Sequence, residues 1–284
     1  MKDNNLNYQP TLMGKTARTI IPVLQKFLPR NIFKFVYDAL YNSYKNLLRW
    51  SYFFRYIFYL LSGSKKQRLK VKLTLKLLPY TMGGRKALEN AFDVTALVES
   101  NNIEGALVEC GVAEGGTAAM LSLANKALNG KKRVKWFFDS YEGLPEPTKD
   151  DYEMGKTGHF IRPLPKGACL GTIEQVRKLM FNKLELPESE VNLVKGWFQD
   201  TVPITKSKIG QIAILRLDGD WYESTKIPLE NLYNQISGGG YVIIDDYLTC
   251  FGSRKAVDEF INNHKIKTTL NLDGRGGVWF EKPL

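Results

Sequence analysis

The chain has 284 residues, a hydrophobic fraction of 44% and a formal net charge of +11. This length fits one large domain or one domain with an appendage, and the hydrophobic fraction is ordinary for a globular protein. The three cysteines are far apart and form no C-x-x-C pair, which argues against a disulfide scaffold or a structural zinc site. Two histidines are too few for a His-rich metal centre.

The positive charge is concentrated at the start of the chain. Residues 1–95 hold 17 Lys+Arg and 4 Asp+Glu, and the remaining residues hold 23 and 25. This asymmetry indicates an anionic surface as a partner of the N-terminal part. No secretory signal is evident, and Arg49 and Arg55 interrupt the most apolar stretch, 47–63, which is too short to span a bilayer. We therefore expect a cytoplasmic protein, with peripheral attachment at the inner face of the membrane as an open alternative.

The first predicted elements are helices at residues 17–62, punctuated by Pro29 and Gly63, because apolar residues recur there at spacings of three and four. The segment 63–78, GSKKQRLKVKLTLKLL, is interpreted as a basic joint, and the domain boundary is placed near residue 75. The chain thus divides into a basic, aromatic, helical N-terminal extension, residues 1–75, and a catalytic domain, residues 76–284.

Short apolar strands then alternate with helices. The predicted strands are 105–111, 134–140, 191–198, 212–220 and 239–247, and the predicted helices are 113–130, 172–184, 223–236 and 253–264. Two further strands surround an Asp273-Gly274 turn. This alternation predicts an α/β fold with a mostly parallel, seven-stranded sheet. The terminal antiparallel hairpin is typical of the class I methyltransferase Rossmann-like fold, and nicotinamide-binding domains normally lack it.

Two of the predicted strand ends have features of a nucleotide-type cofactor site. Glu109-Cys110-Gly111 ends one strand and Gly115-Gly116 opens the next helix, so that the backbone can pass close to a ligand. The spacing is not G-x-G-x-x-G, and a purely structural turn is the alternative. Asp139 ends the next strand, where a carboxylate can accept hydrogen bonds from ribose hydroxyls. The alternative for Asp139 is a solvated strand end.

Four carboxylates follow two other apolar strands. Asp218 and Asp220 come after IAILRL, and Asp245 and Asp246 come after YVII. Adjacent parallel strands would bring at least three of them to one edge, where they repel one another. A divalent cation that prefers oxygen ligands, such as Mg²⁺, would relieve this repulsion. The alternative is that each aspartate caps the helix that follows it.

Here the sequence resembles the macrocin-type (TylF-like) sugar O-methyltransferase family. The strings LRLDGDWYEST and GGYVIIDDY carry the resemblance most specifically. Thr81-Met82, VECGVAEGGTAAM, DSYEGLPEP and the segment 195–198 support it in the correct order, over residues 80–262 approximately. In two respects the chain departs from the family: Trp221 stands where the family carries an aliphatic residue, and residues 1–75 have no counterpart.

The resemblance implies S-adenosylmethionine as the methyl donor and a sugar or glycosylated small molecule as the acceptor. It implies a role for each matching position. The cofactor pocket would be lined by Thr81, Met82, Glu109, Gly111, Asp139 and Ser140. Asp218, Asp245 and Asp246 would hold Mg²⁺ or a similar divalent cation, and Asp220 would be the general base on the acceptor hydroxyl.

The segment 146–171 is too long for a plain connection and is interpreted as a lid over the acceptor. His159 and Phe160 lie in it, although a solvent-exposed loop position is the first expectation for His159. Competing functions are a catechol-type O-methyltransferase, a nicotinamide-dependent oxidoreductase and a non-catalytic module. The intact carboxylates speak against the last two.

Two interpretations of the N-terminal extension stay open. It is an interfacial helix on anionic lipid, with its aromatic residues at the headgroup level, or a helical cap that packs on the catalytic domain or on a second subunit of a homo-oligomer. The aromatic residues are Trp50, Tyr52, Phe53, Phe54 and Tyr56. Nucleic acid is not expected as a partner, because no recognised binding motif accompanies the charge.

Overall fold

The computed structural model describes residues 20, 23–24, 26–128, 130–153 and 160–284. The helices that we number are α1 (Arg30–Ser62), α2 (Lys65–Leu77), α3 (Gly84–Ser100), α4 (Gly116–Ala127), α5 (Ile173–Arg177), α6 (Phe198–Ile209), α7 (Tyr222–Leu232) and α8 (Phe251–Asn263). The strands are β1 (Ala106–Cys110), β2 (Lys135–Asp139), β3 (Val191–Lys195), β4 (Ile212–Leu217), β5 (Ile236–Ile244), β6 (Asn271–Leu272) and β7 (Val278–Glu281). His159 of the expected lid lies outside the described residues, as does the start of the predicted helical region at 17–19.

These seven strands form one sheet in the order β3-β2-β1-β4-β5-β7-β6. Strands β1 to β5 pair in parallel, β7 pairs antiparallel with β5, and β6 pairs antiparallel with β7. The predicted mostly parallel sheet with a terminal antiparallel hairpin is therefore confirmed. The strand order reverses at β1 and β4, and α/β sheets bind ligands in the crevice beyond the carboxyl ends of the strands at such a point.

Helices cover both faces of the sheet because successive residues of a buried strand point to opposite sides. Leu107 of β1 belongs to the apolar layer formed with α3 and α4, whereas Val108 belongs to the layer formed with α7 and α8. Both side chains are fully buried. Burial of one such aliphatic side chain contributes about 1.5–3 kcal/mol, so the two layers together hold the strand ends in place.

One face of α1 attaches the N-terminal extension to the catalytic domain. Tyr52 is 3% exposed and donates its hydroxyl to Glu89 of α3 at 2.7 Å. Tyr56 and Tyr59, about one and two turns further along the same face, pack partly buried on the same core. Within the described part of the chain, no helix has the length and apolarity to cross a membrane.

The segment predicted as a basic joint is instead the helix α2. Ser64 and Gln67 form a capping box at its start, and Val71, Leu73 and Leu77 are buried against the catalytic domain. Polar and apolar residues alternate along the string KVKLTLKL. A period of two is typical of a strand, so this pattern gives no signal for a helix. The boundary predicted near residue 75 falls inside this helix.

The sequence analysis also missed α3 and α6. Helix α6 begins at Phe198, so the strand predicted to reach that residue ends at Lys195, and Gly196 turns the chain between them with a φ of +140°. The first strand of the terminal hairpin is likewise shorter than predicted, since β6 comprises only Asn271 and Leu272.

The turn after β1 can contact β4 only because residue 111 is a glycine. Gly111 has a φ of +97°, and a Cβ atom there would lie 1.9 Å from the backbone oxygen of Asp218. The amide of Asp218 in turn donates to the carbonyl oxygen of Cys110 at 2.9 Å. Because the neighbouring atoms are backbone, they have little freedom to move away from a side chain.

We predict that Gly111→Ala destabilises the protein by about 3 kcal/mol or more, since the steric clash adds to the cost of a left-handed conformation. Gly210 is a matched control, because it has a φ of +70° with no atom near its missing Cβ. Gly210→Ala should therefore cost only the conformational strain, about 1–3 kcal/mol, because its ψ of −142° lies close to a region that is nearly restricted to glycine. Urea denaturation of both variants measures the difference, and equal losses of stability would contradict the steric argument.

Candidate active site

The predicted site residues converge at the carboxyl ends of β1, β4 and β5. The backbone amide of Asp245 donates to Leu217 of β4 at 3.0 Å, and that of Asp218 donates to Cys110 of β1. The glycine turn at Gly111 thus lies directly beside the aspartates that follow the two neighbouring strands. This is the crevice at which the strand order reverses.

A buried arginine that the sequence analysis did not single out connects these strand ends. Arg216 of β4 is 1% exposed. Its Nη1 donates to Glu109 Oε1 at 2.6 Å and to Asp218 Oδ2 at 2.9 Å, and its Nη2 donates to Asp245 Oδ1 at 2.5 Å. One guanidinium therefore binds three carboxylates from three strands, and it fixes their relative positions because its fork is planar and rigid.

A second arginine binds Asp245 from the terminal hairpin. Nη1 of Arg275 donates to Asp245 Oδ2 and lies 3.8 Å from Asp246 Oδ1. Burial acts to raise the pKa of Asp245, but the guanidinium groups of Arg275 and Arg216 outweigh it and hold that pKa below its ordinary value. Asp245 is therefore an ionised group whose carboxylate is oriented on both sides.

The environment of Asp246 acts on its pKa in the opposite direction to that of Asp245. It is 5% exposed, its Oδ1 accepts from the Thr249 hydroxyl at 2.9 Å, and its Oδ2 has no hydrogen-bond partner among the described residues. Burial and the nearby charges of Asp220 and Asp245 raise the pKa of Asp246 well above its ordinary value. One ligand atom each from Asp218, Asp245 and Asp246 lie within 4.8 Å of one another, which is the spacing that a cation site requires.

Asp220 stands in a strained position next to this group. Its φ is +59°, a left-handed conformation that costs a non-glycine residue energy and often marks a functional site. Its Oδ1 accepts from Cys250 Sγ at 3.5 Å, and desolvation together with the charges of Asp218 and Asp245 raises its pKa to about 7.

The helix-cap alternative for Asp220 does not describe this structure. Trp221 is the N-cap of α7, with no side-chain cap hydrogen bond. The first amide of the helix, that of Tyr222, instead donates to Asp151 Oδ1 at 2.7 Å. Asp151 is 2% exposed and was not singled out by the sequence analysis. The carboxylate of Asp220 is therefore left for another role.

Asp139 organises the opposite side of the crevice. Its Oδ2 accepts from the backbone amides of Val112 and Ala113 at 2.7 and 2.9 Å, and its Oδ1 accepts from Tyr141 at 2.6 Å. Burial raises the pKa of Asp139, and the three amides oppose this shift. Ser140 accepts from the amide of Glu142 at 3.1 Å and thereby stabilises the same turn. Asp139 and Ser140 thus hold the loop around the glycine turn.

Thr81 and Met82 approach the crevice from the segment that joins α2 to α3. Thr81 is 5% exposed, and its hydroxyl accepts from the amide of Gly83 at 3.1 Å. A Cβ atom on Gly116, at the start of α4, would lie 2.4 Å from the backbone oxygen of Tyr80. One on Gly83 would lie 3.7 Å from Asp245 Oδ2. This segment therefore lies between the glycine-rich helix start and the carboxylates.

Glu109 lies in β1, and its Oε2 is buried without a hydrogen-bond partner among the described residues. It is fully buried, and its Oε1 accepts from the hydroxyl of Thr117 at 2.5 Å and from Arg216. Burial raises the pKa of Glu109 to about 7, although Arg216 and Thr117 favour the ionised form. The position of Glu109 allows it to orient neighbouring groups, and a direct contact with the cofactor stays a prediction.

The described parts of the segment interpreted as a lid, and Pro145 just before it, contact loops that border the crevice. The amide of Ile161 donates to the backbone oxygen of Thr249 at 2.9 Å, and Trp221 Nε1 donates to that of Pro145 at 3.3 Å. A Cβ atom on Gly171 would lie 1.9 Å from the backbone oxygen of Ala113. Trp221, at the position where the sequence departs from the family pattern, is 2% exposed and belongs to a small apolar cluster against which Ile161 and Leu164 of the same segment pack.

Arg216, Arg275 and Asp151 were not singled out by the sequence analysis, and they differ in how clearly the sequence indicates them. Arg216 is a charged residue inside the apolar run IAILRL, which has no ready explanation unless carboxylates neutralise it. Arg275 lies in a polar turn, DGRGG, where a basic residue is unremarkable. Asp151 lies in the lid among exposed charges, so that no pattern separates it from its neighbours.

Fold and site together define a class I methyltransferase: a sheet of this order, a glycine turn at the reversal point and strand-end carboxylates beside it. The model of the macrocin-O-methyltransferase (TylF) family matches residues 63–282. The chain belongs to this family and is an O-methyltransferase. Membership implies S-adenosylmethionine as its methyl donor.

Characterised relatives have similar sequences over most of their length. Demethyldecarbamoylnovobiocin O-methyltransferase of Streptomyces niveus is 36% identical over 72% of this chain and 76% of its own. The 8-demethyl-8-(2,3-dimethoxy-alpha-L-rhamnosyl)-tetracenomycin-C 4'-O-methyltransferase of Streptomyces olivaceus is 37% identical over 70% and 75%. Mycinamicin III 3''-O-methyltransferase of Micromonospora griseorubida is 31% identical over 70% and 78%.

Solved structures agree with the fold. The O-methyltransferase NovP superimposes with a TM-score of 0.63 at 36% identity, over 72% of this chain and 83% of that one. The calicheamicin methyltransferase CalS11 superimposes with a TM-score of 0.58 over 96% and 94%, and at 15% identity this likeness concerns the fold alone.

We predict that Arg216→Met destabilises the protein by about 3–5 kcal/mol, because it leaves buried carboxylates without their cation. Arg254→Met is the matched control: the pair of Arg254 with Asp258 has side chains 38% and 34% exposed, and its loss should cost about 1 kcal/mol. Urea denaturation compares the two variants. If Arg216→Met were as stable as the control, the buried network would not hold the strand ends together.

Proposed function

We propose that this enzyme transfers a methyl group from S-adenosylmethionine to a hydroxyl of a sugar or glycosylated small molecule, with the help of a divalent cation such as Mg²⁺. The observation that carries the proposal is the arrangement of two groups across one crevice. One is the glycine turn that begins at Gly111, and the other is the carboxylate set Asp218, Asp220, Asp245 and Asp246. A bound methyl donor and an acceptor hydroxyl would meet between them.

The methyl donor is assigned to the side formed by the glycine turn. Asp139 uses three acceptor positions for backbone amides, and a carboxylate offers about four, so it retains capacity for a ribose hydroxyl. The remaining pocket residues are assigned as the family resemblance implies: Thr81, Met82, Glu109, Gly111 and Ser140. Among these, Glu109 would also orient Thr117 and Arg216, which donate to its Oε1.

The residues present fit a hard divalent cation. The ligand atoms of Asp218, Asp245 and Asp246 lie close enough to share one ion, and Asp246 Oδ2 is buried without a partner. Carboxylate oxygens are the ligands that Mg²⁺ prefers. When bound, the cation would polarise the acceptor hydroxyl and favour loss of its proton.

Asp220 is assigned as the base that takes this proton. It lies two residues beyond Asp218, just past the end of β4, and its carboxylate adjoins the cation site, since ligand atoms of Asp220, Asp246 and Cys250 lie within 4.8 Å of one another. The lid and Trp221 would exclude water and hold the acceptor oxygen in line with the transferred methyl group. Positioning of this kind supplies ~7–11 kcal/mol of the barrier reduction.

The relatives support a sugar as the acceptor. One of them is named for the methylation of a rhamnosyl tetracenomycin at the 4' position. The metal-and-carboxylate chemistry itself would serve a catechol equally well, so a catechol-type O-methyltransferase is the alternative. We retain a sugar as the proposed acceptor because these relatives match this chain over about three quarters of their own length.

We expect isotope-labelled S-adenosylmethionine with Mg²⁺ to methylate a member of a panel of sugar nucleotides and glycosides, detected by mass spectrometry. Catechols form a second panel. Calorimetry with S-adenosylmethionine and its demethylated product is run in parallel, because the glycine turn and Asp139 predict micromolar binding of both. Absence of binding on folded protein would remove the cofactor assignment, and turnover of catechols alone would favour the alternative.

Asp246→Asn should abolish turnover and weaken Mg²⁺ or Mn²⁺ binding while cofactor affinity stays near wild type. The physical reason is that an amide removes one negative charge from the proposed ligand set. Calorimetric titration with the metal alone provides a readout that does not depend on activity. Asp93→Asn is the control, since Asp93 pairs with Lys70 and its side chain is 48% exposed. Full activity after exhaustive chelation would refute the metal role.

Asp220→Asn should lower turnover by about 10²–10⁴-fold, because an amide cannot accept the proton. Asparagine tolerates the left-handed conformation about as well as aspartate, so the backbone at residue 220 is preserved. Asp220→Gly relieves that strain and should be folded but equally inactive. Turnover against pH should rise for the wild type and be flat for Asp220→Asn. If Asp220→Asn turns over within about threefold of wild type, Asp220 is not the base and another residue accepts the proton.

A further inference from the structure

Helix α1 has a second, exposed apolar face opposite the one that packs on the catalytic domain. Its apolar side chains recur at spacings of three and four, and each is between 40% and 88% exposed. We call this face the apolar band; it consists of Leu47, Trp50, Phe53, Phe54, Ile57, Phe58 and Leu61. Contiguous apolar surface of this kind marks a site of interaction.

Exposed positive charge follows the apolar band in the next helix. Helix α2, which follows α1 after Gly63 and Ser64, exposes a basic face that we define as Lys65, Arg68, Lys72 and Lys76. None of these four side chains forms an ion pair within the described part of the chain. Between residues 4 and 88 of the sequence, Asp38 is the sole acidic residue. The extension therefore combines exposed aromatic surface with an excess of cations that carboxylates do not neutralise.

We propose that the apolar band and the basic face dock this enzyme on an anionic lipid bilayer. Aromatic rings favour the boundary between headgroups and acyl chains, and Trp50, Phe53, Phe54 and Phe58 make up more than half of the band. Lys and Arg near an anionic bilayer are each attracted to its surface potential. Both components of the surface thus match the same partner, and α1 would lie in the plane of the interface.

A second copy of the chain matches this surface less well. Leu47, Trp50, Phe54, Ile57 and Leu61 have the spacing of a helix-pairing seam, but apolar residues stand at the flanking positions where coiled coils carry charges. Pairing two copies would also bring two strongly basic regions together. A nucleic acid would satisfy the charge and leave the broad apolar band exposed to water.

Docking on α1 would also leave the catalytic crevice in a defined orientation. Helix α2 leads through Tyr80 directly into Thr81 at the crevice, and Tyr52 fixes α1 to Glu89 of α3 at 2.7 Å. No mobile linker separates the docking helix from the catalytic domain between residues 52 and 89 in the described structure. The membrane would therefore hold the crevice at a constant height and tilt.

Flotation of the full-length protein with vesicles tests the proposal. We expect binding to vesicles of phosphatidylcholine mixed with phosphatidylglycerol, weaker binding to phosphatidylcholine alone, and weakening by salt. The triple variants Trp50→Ser/Phe54→Ser/Ile57→Ser and Lys65→Gln/Arg68→Gln/Lys72→Gln should each lower vesicle affinity by about tenfold or more. Ile204→Ser is the control, because Ile204 is 74% exposed on α6 and lies outside the band.

A spectroscopic measurement keeps the test independent of folding differences among the triple variants. Anionic vesicles should shift the tryptophan emission to shorter wavelength, and Trp50→Phe should abolish most of that shift while binding persists. The proposal is overturned if vesicles do not bind, or if the band variant binds as the wild type does. It is equally overturned if light scattering shows a lipid-independent dimer that the band variant dissociates, or if oligonucleotides bind and anionic vesicles do not.

Discussion

The ion network around Arg216 is the interaction on which the catalytic edge of the sheet depends. Transfer of a guanidinium from water to a site that is 1% exposed costs several kcal/mol even after relaxation. Glu109, Asp218 and Asp245 offset that cost, and they come from three different strands. The network is stable only when β1, β4 and β5 have their native register. The same contacts that stabilise the fold therefore set the positions of the candidate ligands.

Close backbone approaches extend this constraint from the strand ends to the loops. Three glycines allow such approaches: Gly111 contacts the backbone of Asp218, Gly171 that of Ala113, and Gly252 the side chain of Asp151. At each position a Cβ atom would clash with the neighbouring atom. These contacts link the cofactor turn, the lid and the start of α7. A substitution at one of them would displace the two sides of the crevice relative to each other. Methyl transfer between two bound molecules is sensitive to such displacement because the reacting atoms must be collinear.

Much of this arrangement could be predicted from local pattern. The strands IAILRL and YVII are short apolar runs that end in aspartates, and the structure places both ends at one edge of the sheet. Helix α2 was missed because its lysines alternate with apolar residues, and only contact with α3 and α4 shows which of those residues are buried. Asp151 and Arg275 were missed because their partners lie 71 and 30 residues away along the chain. Sequence spacing carries no signal for such pairs.

The sequence by itself determined the sheet type, the family and the set of strand-end carboxylates, because these follow from periodicity and from short motifs within single segments. Tertiary structure alone decided how the carboxylates differ. Asp245 lies between two guanidinium groups, Asp246 is buried with an unpartnered oxygen, and Asp220 takes a strained conformation beside Cys250. The chemistry of a carboxylate depends on its desolvation and on nearby charges, and here those charges come from distant parts of the chain. Four similar aspartates in the sequence thereby become distinct groups in the fold.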